Sequence, residues 1–188
     1  MSTVLWYKFT NGDILFVADR LISFNGLCYY QDKVTIIRNS HDQILGFFSG
    51  CGDAYKLAEL EKWLSNGALP SYYPELDSDS NVTAMFVDLN GSLFTYCGSN
   101  NPTGIPYKGD RNFIAEGANG QALMGALLSN EENGFFTDPI GMFLSIQEIS
   151  IYTGGGVQGF VIYPDGTFKQ IKFVKKRATY QQITEPQP

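Results

Sequence analysis

Met1 is followed at once by two hydroxyl residues, Ser2 and Thr3, and then by the apolar run Val4-Leu5-Trp6-Tyr7. A small residue in second place favours removal of the initiator methionine, which would give Ser2 a free α-amine beside its own hydroxyl. An α-amine titrates at about 7.7–8.0, a range suited to general-base work near neutral pH. A hydroxyl paired with a terminal amine is a recognised way of activating a weak nucleophile. The start of the chain therefore points to hydrolysis by an N-terminal nucleophile. Asp19, Lys33 and a Ser49-Gly50 turn are the charged and glycine positions that stand out behind it.

Other chemistries find little support. The single histidine, His41, falls in an expected turn between Ser40 and Asp42, whereas a Ser-His-Asp triad needs a histidine held against the nucleophile by a third group. A zinc site lacks a second histidine or paired cysteines. Gly154-Gly155-Gly156 has no Lys-Ser/Thr behind it, so it reads as a turn and not a phosphate loop. Cys28, Cys51 and Cys97 are odd in number and lack metal-ligand spacing, which suggests reduced thiols of a cytoplasmic protein, used in packing.

Thirteen Lys and Arg against nineteen Asp and Glu give a net charge of −6. That balance argues against nucleic acid as the main partner and against an anionic membrane surface. Lys175-Lys176-Arg177 reads as a solvated end. No apolar stretch approaches the ~20 residues of a membrane span, and no signal-peptide pattern leads the chain. The 14 Phe and 11 Tyr are expected in packing and subunit contacts.

The elements that must position these residues can be read in outline. Strands are expected at residues 4–9 and 13–18, around Thr10-Asn11-Gly12, because Asn-Gly between apolar runs is a strong hairpin signal. Two more are expected at 33–37 and 43–48. Asp53 is placed to cap a helix reaching about Leu64, with Leu57, Leu60 and Leu64 at helical spacing. Residues 70–80 read as a loop. Strands follow at 82–88, 92–96 and 112–116, then a helix over 121–128 behind Asn119. Asp138-Pro139 opens another helix with Phe143, Leu144 and Ile146 turned inward. A hairpin of 157–163 and 167–174 closes a single domain of residues 1–177, leaving 178–188 as a polar tail. This order lacks the alternation of a doubly wound sheet and fits an α+β sandwich, with helices covering antiparallel sheets.

The pieces also occur in a telling order. Ser2-Thr3-Val4-Leu5 is followed by Asn11-Gly12, Ile14-Leu15-Phe16-Val17-Ala18-Asp19-Arg20 and Asp32-Lys33-Val34. Then come Ile44-Leu45-Gly46-Phe47-Phe48-Ser49-Gly50, Asp53, Ile114-Ala115-Glu116-Gly117-Ala118-Asn119-Gly120 and Glu148-Ile149-Ser150-Ile151-Tyr152-Thr153. Together they cover nearly the whole chain. The ordered set resembles the proteasome β-subunit and HslV family, particularly its small phage and bacterial proteasome-type members.

The resemblance implies a four-layer αββα sandwich of the N-terminal-nucleophile hydrolase type, assembled into a homo-oligomeric ring. It implies cleavage of peptides or unfolded proteins through an acyl-enzyme on Ser2, whose amine serves as base. Thr3 is the second candidate, because it aligns without a gap while Ser2 requires one extra residue before Asn11-Gly12. Lys33 would stand by the hydroxyl as an ammonium, Asp19 would orient it, and the Gly50 N–H would bind the oxyanion. No cofactor is implied beyond a monovalent cation such as sodium, held by backbone oxygens at Gln147, Ser150 and Thr153. Chambers of this kind work with a ring ATPase that unfolds substrates. Two other readings stay open: an inactive ring scaffold that keeps Met1, and an N-terminal-nucleophile amidase for a small amide.

Overall fold

The computed structural model describes residues 2–24, 27–68, 70–74, 82–97, 105–107, 109–135, 137–150, 154–176 and 179–183. Its first hairpin joins β1 (Thr3–Lys8) to β2 (Ile14–Asp19). Gly12 takes φ +91° in the turn, a conformation open to glycine at little cost. Along both strands successive side chains leave opposite faces. Val4, Trp6, Ile14, Phe16 and Ala18 enter one apolar cluster, while Leu5, Leu15 and Val17 enter another. An apolar run without polar alternation is what a strand covered on both faces requires.

A short hairpin of β3 (Leu21–Phe24) and β4 (Leu27–Tyr30) follows. Next come β5 (Thr35–Arg38), β6 (Ile44–Cys51) and helix α1 (Ala54–Ser65). Asp53 caps α1, accepting the N–H groups of Tyr55 and Lys56 at 2.8 and 3.2 Å. A 3-10 turn at Pro70–Tyr72 leads towards β7 (Thr83–Asp88), β8 (Leu93–Cys97), β9 (Ile105–Pro106) and β10 (Phe113–Gly117). Helices α2 (Gly120–Glu132) and α3 (Pro139–Ile149) precede β11 (Val157–Ile162), β12 (Phe168–Lys176) and β13 (Thr179–Ile183). The Asp138 carboxylate accepts the Gly141 N–H at 3.0 Å, and Pro139 occupies the first turn of α3.

All strand pairings among the described residues are antiparallel. One sheet runs β10-β1-β2-β11-β12-β13, a second runs β5-β6-β7-β8-β9, and β3-β4 stand apart. The first cluster joins Phe16 and Phe160 of the larger sheet to Phe47, Met85 and Val87 of the other. A second packs Leu123, Leu127, Phe143 and Ile146 of α2 and α3 on the larger sheet. The third packs Leu60, Trp63 and Leu64 of α1 on Phe48 and Ala84 of the smaller sheet.

Four expectations are corrected. Ser49-Gly50 is no turn: β6 runs on through Cys51, and the left-handed residue is Gly52 at φ +110°. The β3-β4 hairpin is absent from the expected strands, although Asn25-Gly26 between Leu21 and Tyr30 carries the same signal as Asn11-Gly12. Helix α2 runs to Glu132, beyond the expected Leu128, since Ser129-Asn130-Glu131-Glu132 has no breaker before Asn133-Gly134. The expected polar tail contributes β13, whose backbone pairs with β12 at the sheet edge. An edge strand is held by ladder hydrogen bonds and needs no apolar alternation, so its polar sequence concealed it.

Phe47 is fully buried between the sheets, 4.4 Å from Phe160 and 5.0 Å from Phe168 between ring centroids. We expect Phe47→Ala to lower unfolding stability by about 3–5 kcal/mol. Phe135→Ala, at a side chain 67% exposed, should change it by less than about 0.5 kcal/mol. Urea denaturation of the two variants checks the contrast; equal losses would mean that Phe47 does not sit in a tight inter-sheet core.

Candidate active site

The head of β1 lies beside the end of β2, and their register places Val4 opposite Ala18. Asp19, the last residue of β2, is fully buried and spends both carboxylate oxygens on fixed donors. One oxygen accepts the Thr3 N–H at 2.7 Å. The other accepts the Leu21 N–H at 3.1 Å and the Lys33 ammonium at 2.9 Å. Lys33 also donates to Ser2 Oγ at 2.9 Å and to the Leu21 carbonyl at 2.5 Å. Its three protons thus have three acceptors, and one of these is the hydroxyl at the start of the chain.

The pair sits in a poorly hydrated place, with side-chain exposure of 9% for Lys33 and 0% for Asp19. Burial lowers the Lys33 pKa from its ordinary value, against the Asp19 carboxylate that favours the ammonium. Burial also raises Asp19, opposed by Lys33 and by the N–H groups of Thr3 and Leu21. Each group is thereby moved towards neutrality by desolvation and held charged by the other.

The opposite wall fixes Ser2. Its carbonyl accepts the Ala118 N–H at 2.9 Å. Gly117, at φ +97°, faces it so closely that a Cβ there would lie 1.9 Å from the Ser2 carbonyl oxygen and 2.5 Å from Cys51 Sγ. Only glycine admits this approach. The requirement is invisible in the pattern of Ala115-Glu116-Gly117-Ala118, where Gly117 reads as one small residue among several.

A cavity of about 590 Å³ opens in front of Ser2 and Lys33. Leu21, Phe48 and Leu57 supply apolar wall, and Glu61 is among its polar lining. Gly50 lies in the wall on β6, paired with Ala84. A Cβ at Gly50 would lie 2.4 Å from Leu57 Cδ2 and 2.9 Å from the Thr83 carbonyl oxygen, so α1 packs directly over its backbone. Another hollow of about 670 Å³ along Trp63 and Tyr72 contains neither Ser2 nor Lys33.

Of the two candidate hydroxyls, the structure brings Ser2 and not Thr3 to the ammonium. Thr3 is fully buried, and its Oγ1 accepts the Asn119 N–H at 3.1 Å. Gln147 lies in the last turn of α3, Ser150 follows its end, and Thr153 lies outside the described residues. The Gln147 amide is engaged by Gly156, donating at 3.0 Å and accepting at 3.2 Å. Ser150 Oγ accepts from Asn119 Nδ2 at 2.7 Å. Among the described residues no cluster of three or more His, Cys, Asp or Glu is placed to hold a metal ion.

The cysteines differ from their expected packing role. Cys28 and Cys97 are exposed, and only Cys51 is buried. Burial, reinforced by Asp19, pushes the Cys51 thiol up to about 12 despite nearby Lys33. His41 is exposed in its turn, as expected, with Nδ1 3.4 Å from Ser40 Oγ.

No protein-family model matches the chain, and no curated protein does. Solved structures do, two of them of one Thiobacillus denitrificans protein. One is Thiobacillus denitrificans BPH, a bacterial proteasome homologue, in complex with epoxomicin, with a TM-score of 0.61 and 16% identity. That match covers 86% of this chain and 98% of the other. The second is Thiobacillus denitrificans BPH, at TM-score 0.59 and 18% identity, covering 86% and 97%. The fold is proteasome-like. No helix among the described residues is long and apolar enough to cross a membrane.

Since Cys51 is sealed beneath Ser2 and stays protonated near neutral pH, iodoacetamide should label only Cys28 and Cys97 in the folded protein. Cys51 should react after unfolding. Peptide mapping checks this, and rapid native labelling of Cys51 would contradict the packing of Gly117 against Ser2.

Proposed function

We propose that the chain is an N-terminal-nucleophile peptidase of the proteasome type, acting through Ser2 after removal of Met1. The observation that carries the reading is the Lys33 ammonium, 2.9 Å from both Ser2 Oγ and Asp19 at the rim of a substrate-sized cavity. The proteasome-like fold supports it, as does the complex of BPH with epoxomicin. The three apolar clusters support an αββα order of layers.

In this reading the Ser2 α-amine takes the proton from Oγ as Oγ attacks the scissile carbonyl. Lys33 favours the developing alkoxide, and Asp19 holds Lys33 in place. The carbonyl π pair moves to oxygen, where the Gly50 N–H is the assigned donor. Collapse expels the leaving amine, which receives the proton from the α-ammonium, and leaves an acyl ester on Ser2. Water, deprotonated by the same amine, then releases the acid. Thr3 has no part in these steps, because its hydroxyl is spent on the backbone. The reading includes peptide or unfolded-protein substrates, a homo-oligomeric ring, and an ATPase partner that supplies unfolded chains. A monovalent cation at the Gln147 and Ser150 carbonyls would add charge at the end of α3; no step passes through it.

Intact mass of the natively expressed protein tests the proposal. Loss of Met1 and a mass increase on treatment with epoxomicin are expected, and the increase should vanish in Ser2→Ala. Retained Met1 with no adduct would leave the fold without this activity.

Lys33→Ala should slow adduct formation by about 10²–10³-fold, the usual effect of losing one transition-state electrostatic partner. The pH profile follows from the signs. The α-amine must be unprotonated, so the rate falls as pH drops below its pKa. Lys33 must be protonated, and its lowered pKa brings the alkaline fall to lower pH than an ordinary lysine would give. A rate that stays level into the ordinary lysine range would exclude Lys33 as the required ammonium.

A further inference from the structure

Lys33 does not stand in a sheet. It lies just ahead of β5, which begins at Thr35, in a stretch without a ladder partner of its own. Such a segment leaves a long side chain poorly placed, since both backbone and side chain retain rotational freedom. Yet Lys33 Nζ meets Ser2 Oγ, Asp19 and the Leu21 carbonyl together. Something must hold its backbone.

Two anchors lie before Lys33. The Gln31 N–H donates to the Arg20 carbonyl at 2.9 Å. Asp32 accepts from Arg20 Nε at 2.7 Å and from Lys172 Nζ at 2.9 Å. Burial works to raise the Asp32 carboxyl, but Lys172 and Arg20 outweigh it and hold it below the ordinary value. The third anchor lies directly behind Lys33. Gln158 on β11, 1% exposed, accepts the Val34 N–H with Oε1 at 3.0 Å and donates Nε2 to the Val34 carbonyl at 3.2 Å. The carboxamide thus serves both backbone groups of one residue, as a neighbouring strand would. Its orientation is fixed, because an N–H needs the oxygen and a carbonyl needs the NH₂.

An amide buried in the layer between two sheets must satisfy its polar atoms there. Gln158 follows Val157, which pairs with Asp19, and shares its strand face with Phe160 and Ile162 of the inter-sheet cluster. A Leu or Met would suit that cluster as well as any residue. A glutamine in this position needs a reason, and the backbone of the residue next to Lys33 supplies one.

We infer that Gln158 is a positioning residue of the proposed peptidase: its bidentate hold on Val34 sets the Lys33 ammonium between Asp19 and Ser2. The inference rests on the proposed function for its consequence in catalysis, but the hold itself does not. Gln158 touches neither substrate nor the reacting atoms and acts entirely through residues 33 and 34.

The test uses the full chain with Gln158→Leu, and with Gln158→Glu in case the leucine variant fails to fold. Two readings are taken: the Lys33 titration by NMR with labelled lysine, and the rate of adduct formation with epoxomicin. Asp19 of β2 and Cys51 of β6 act on Lys33, as does the α-amine that removal of Met1 gives Ser2 beside it, and all three are left in place. In the leucine variant the Lys33 titration should move up towards an ordinary lysine as the side chain reaches solvent. Adduct formation should slow by about 10²-fold, the scale of a misplaced catalytic group.

In Gln158→Glu the ionised carboxylate faces the Val34 carbonyl without a donor, and repulsion between the two oxygens opens the hold and exposes the Val34 N–H. Protonation restores the donor, so protection of the Val34 amide from hydrogen exchange should return on acidification. A folded leucine variant with Lys33 titration and adduct rate both unchanged overturns the inference. So does a glutamate variant whose Val34 protection does not depend on pH. If wild type forms no adduct while the Lys33 titration moves as expected, the peptidase reading fails and the hold stands.

Discussion

The buried pair of Lys33 and Asp19 constrains everything around it. Desolvation disfavours both charges, and a pair in such a place is a weak source of stability even when its geometry is good. It persists because every remaining valence is met: Asp19 receives two backbone N–H groups, and Lys33 gives its spare protons to a carbonyl and to Ser2. A residue missing from this set would leave an uncompensated charge in the interior. The arrangement therefore fixes the ends of β1, β2 and β3 together, and Ser2 is placed by the ion pair as much as by its own strand.

The sheet supplies the precision that long side chains lack. Asp19 lies opposite Val157 in β11, while Thr3 lies opposite Gly117 in β10. The larger sheet thus holds Ser2 from one side through β10 and Asp19 from the other through β11. Gln147 ties α3 to Gly156 at the entry to β11, and Gln158 ties the same strand to Val34. Two buried carboxamides, each spent on a single backbone residue, link α3, the larger sheet and the segment bearing Lys33. Strand pairing alone could not reach that segment.

How much of this was legible depends on the kind of signal. Apolar periodicity, Asn-Gly turns and Asp caps reveal most strands and the three α-helices of the described residues, because each leaves a pattern along the sequence. Edge strands and short hairpins were harder: β13 is polar, and β3-β4 enclose Asn25-Gly26 in only a few residues. At the site, Asp19 and Lys33 stood out by charge and by the order of neighbouring segments. Gly117 and Gln158 did not. Gly117 matters through a φ of +97° and an approach by the Ser2 carbonyl, and Gln158 through a partner 124 positions away. Neither has a local pattern. Such residues are chosen by a tertiary contact that composition and spacing do not record.

The choice between Ser2 and Thr3 shows the same limit and how packing overcomes it. The two hydroxyls are neighbours and both could perform the chemistry. Chain geometry separates them, because Ser2 directly precedes β1 and Thr3 opens it, so their side chains leave opposite faces and a slip of one position would exchange their surroundings. Register is firm here: Leu5 and Trp6 enter different clusters, so a shifted strand would reverse both. With that register, Thr3 is drawn into the interior, its N–H on Asp19 and its hydroxyl on Asn119. Ser2 is left at the cavity with Lys33. The apolar residues that follow the start of the chain thus decide which hydroxyl faces Lys33, without touching either one's chemistry.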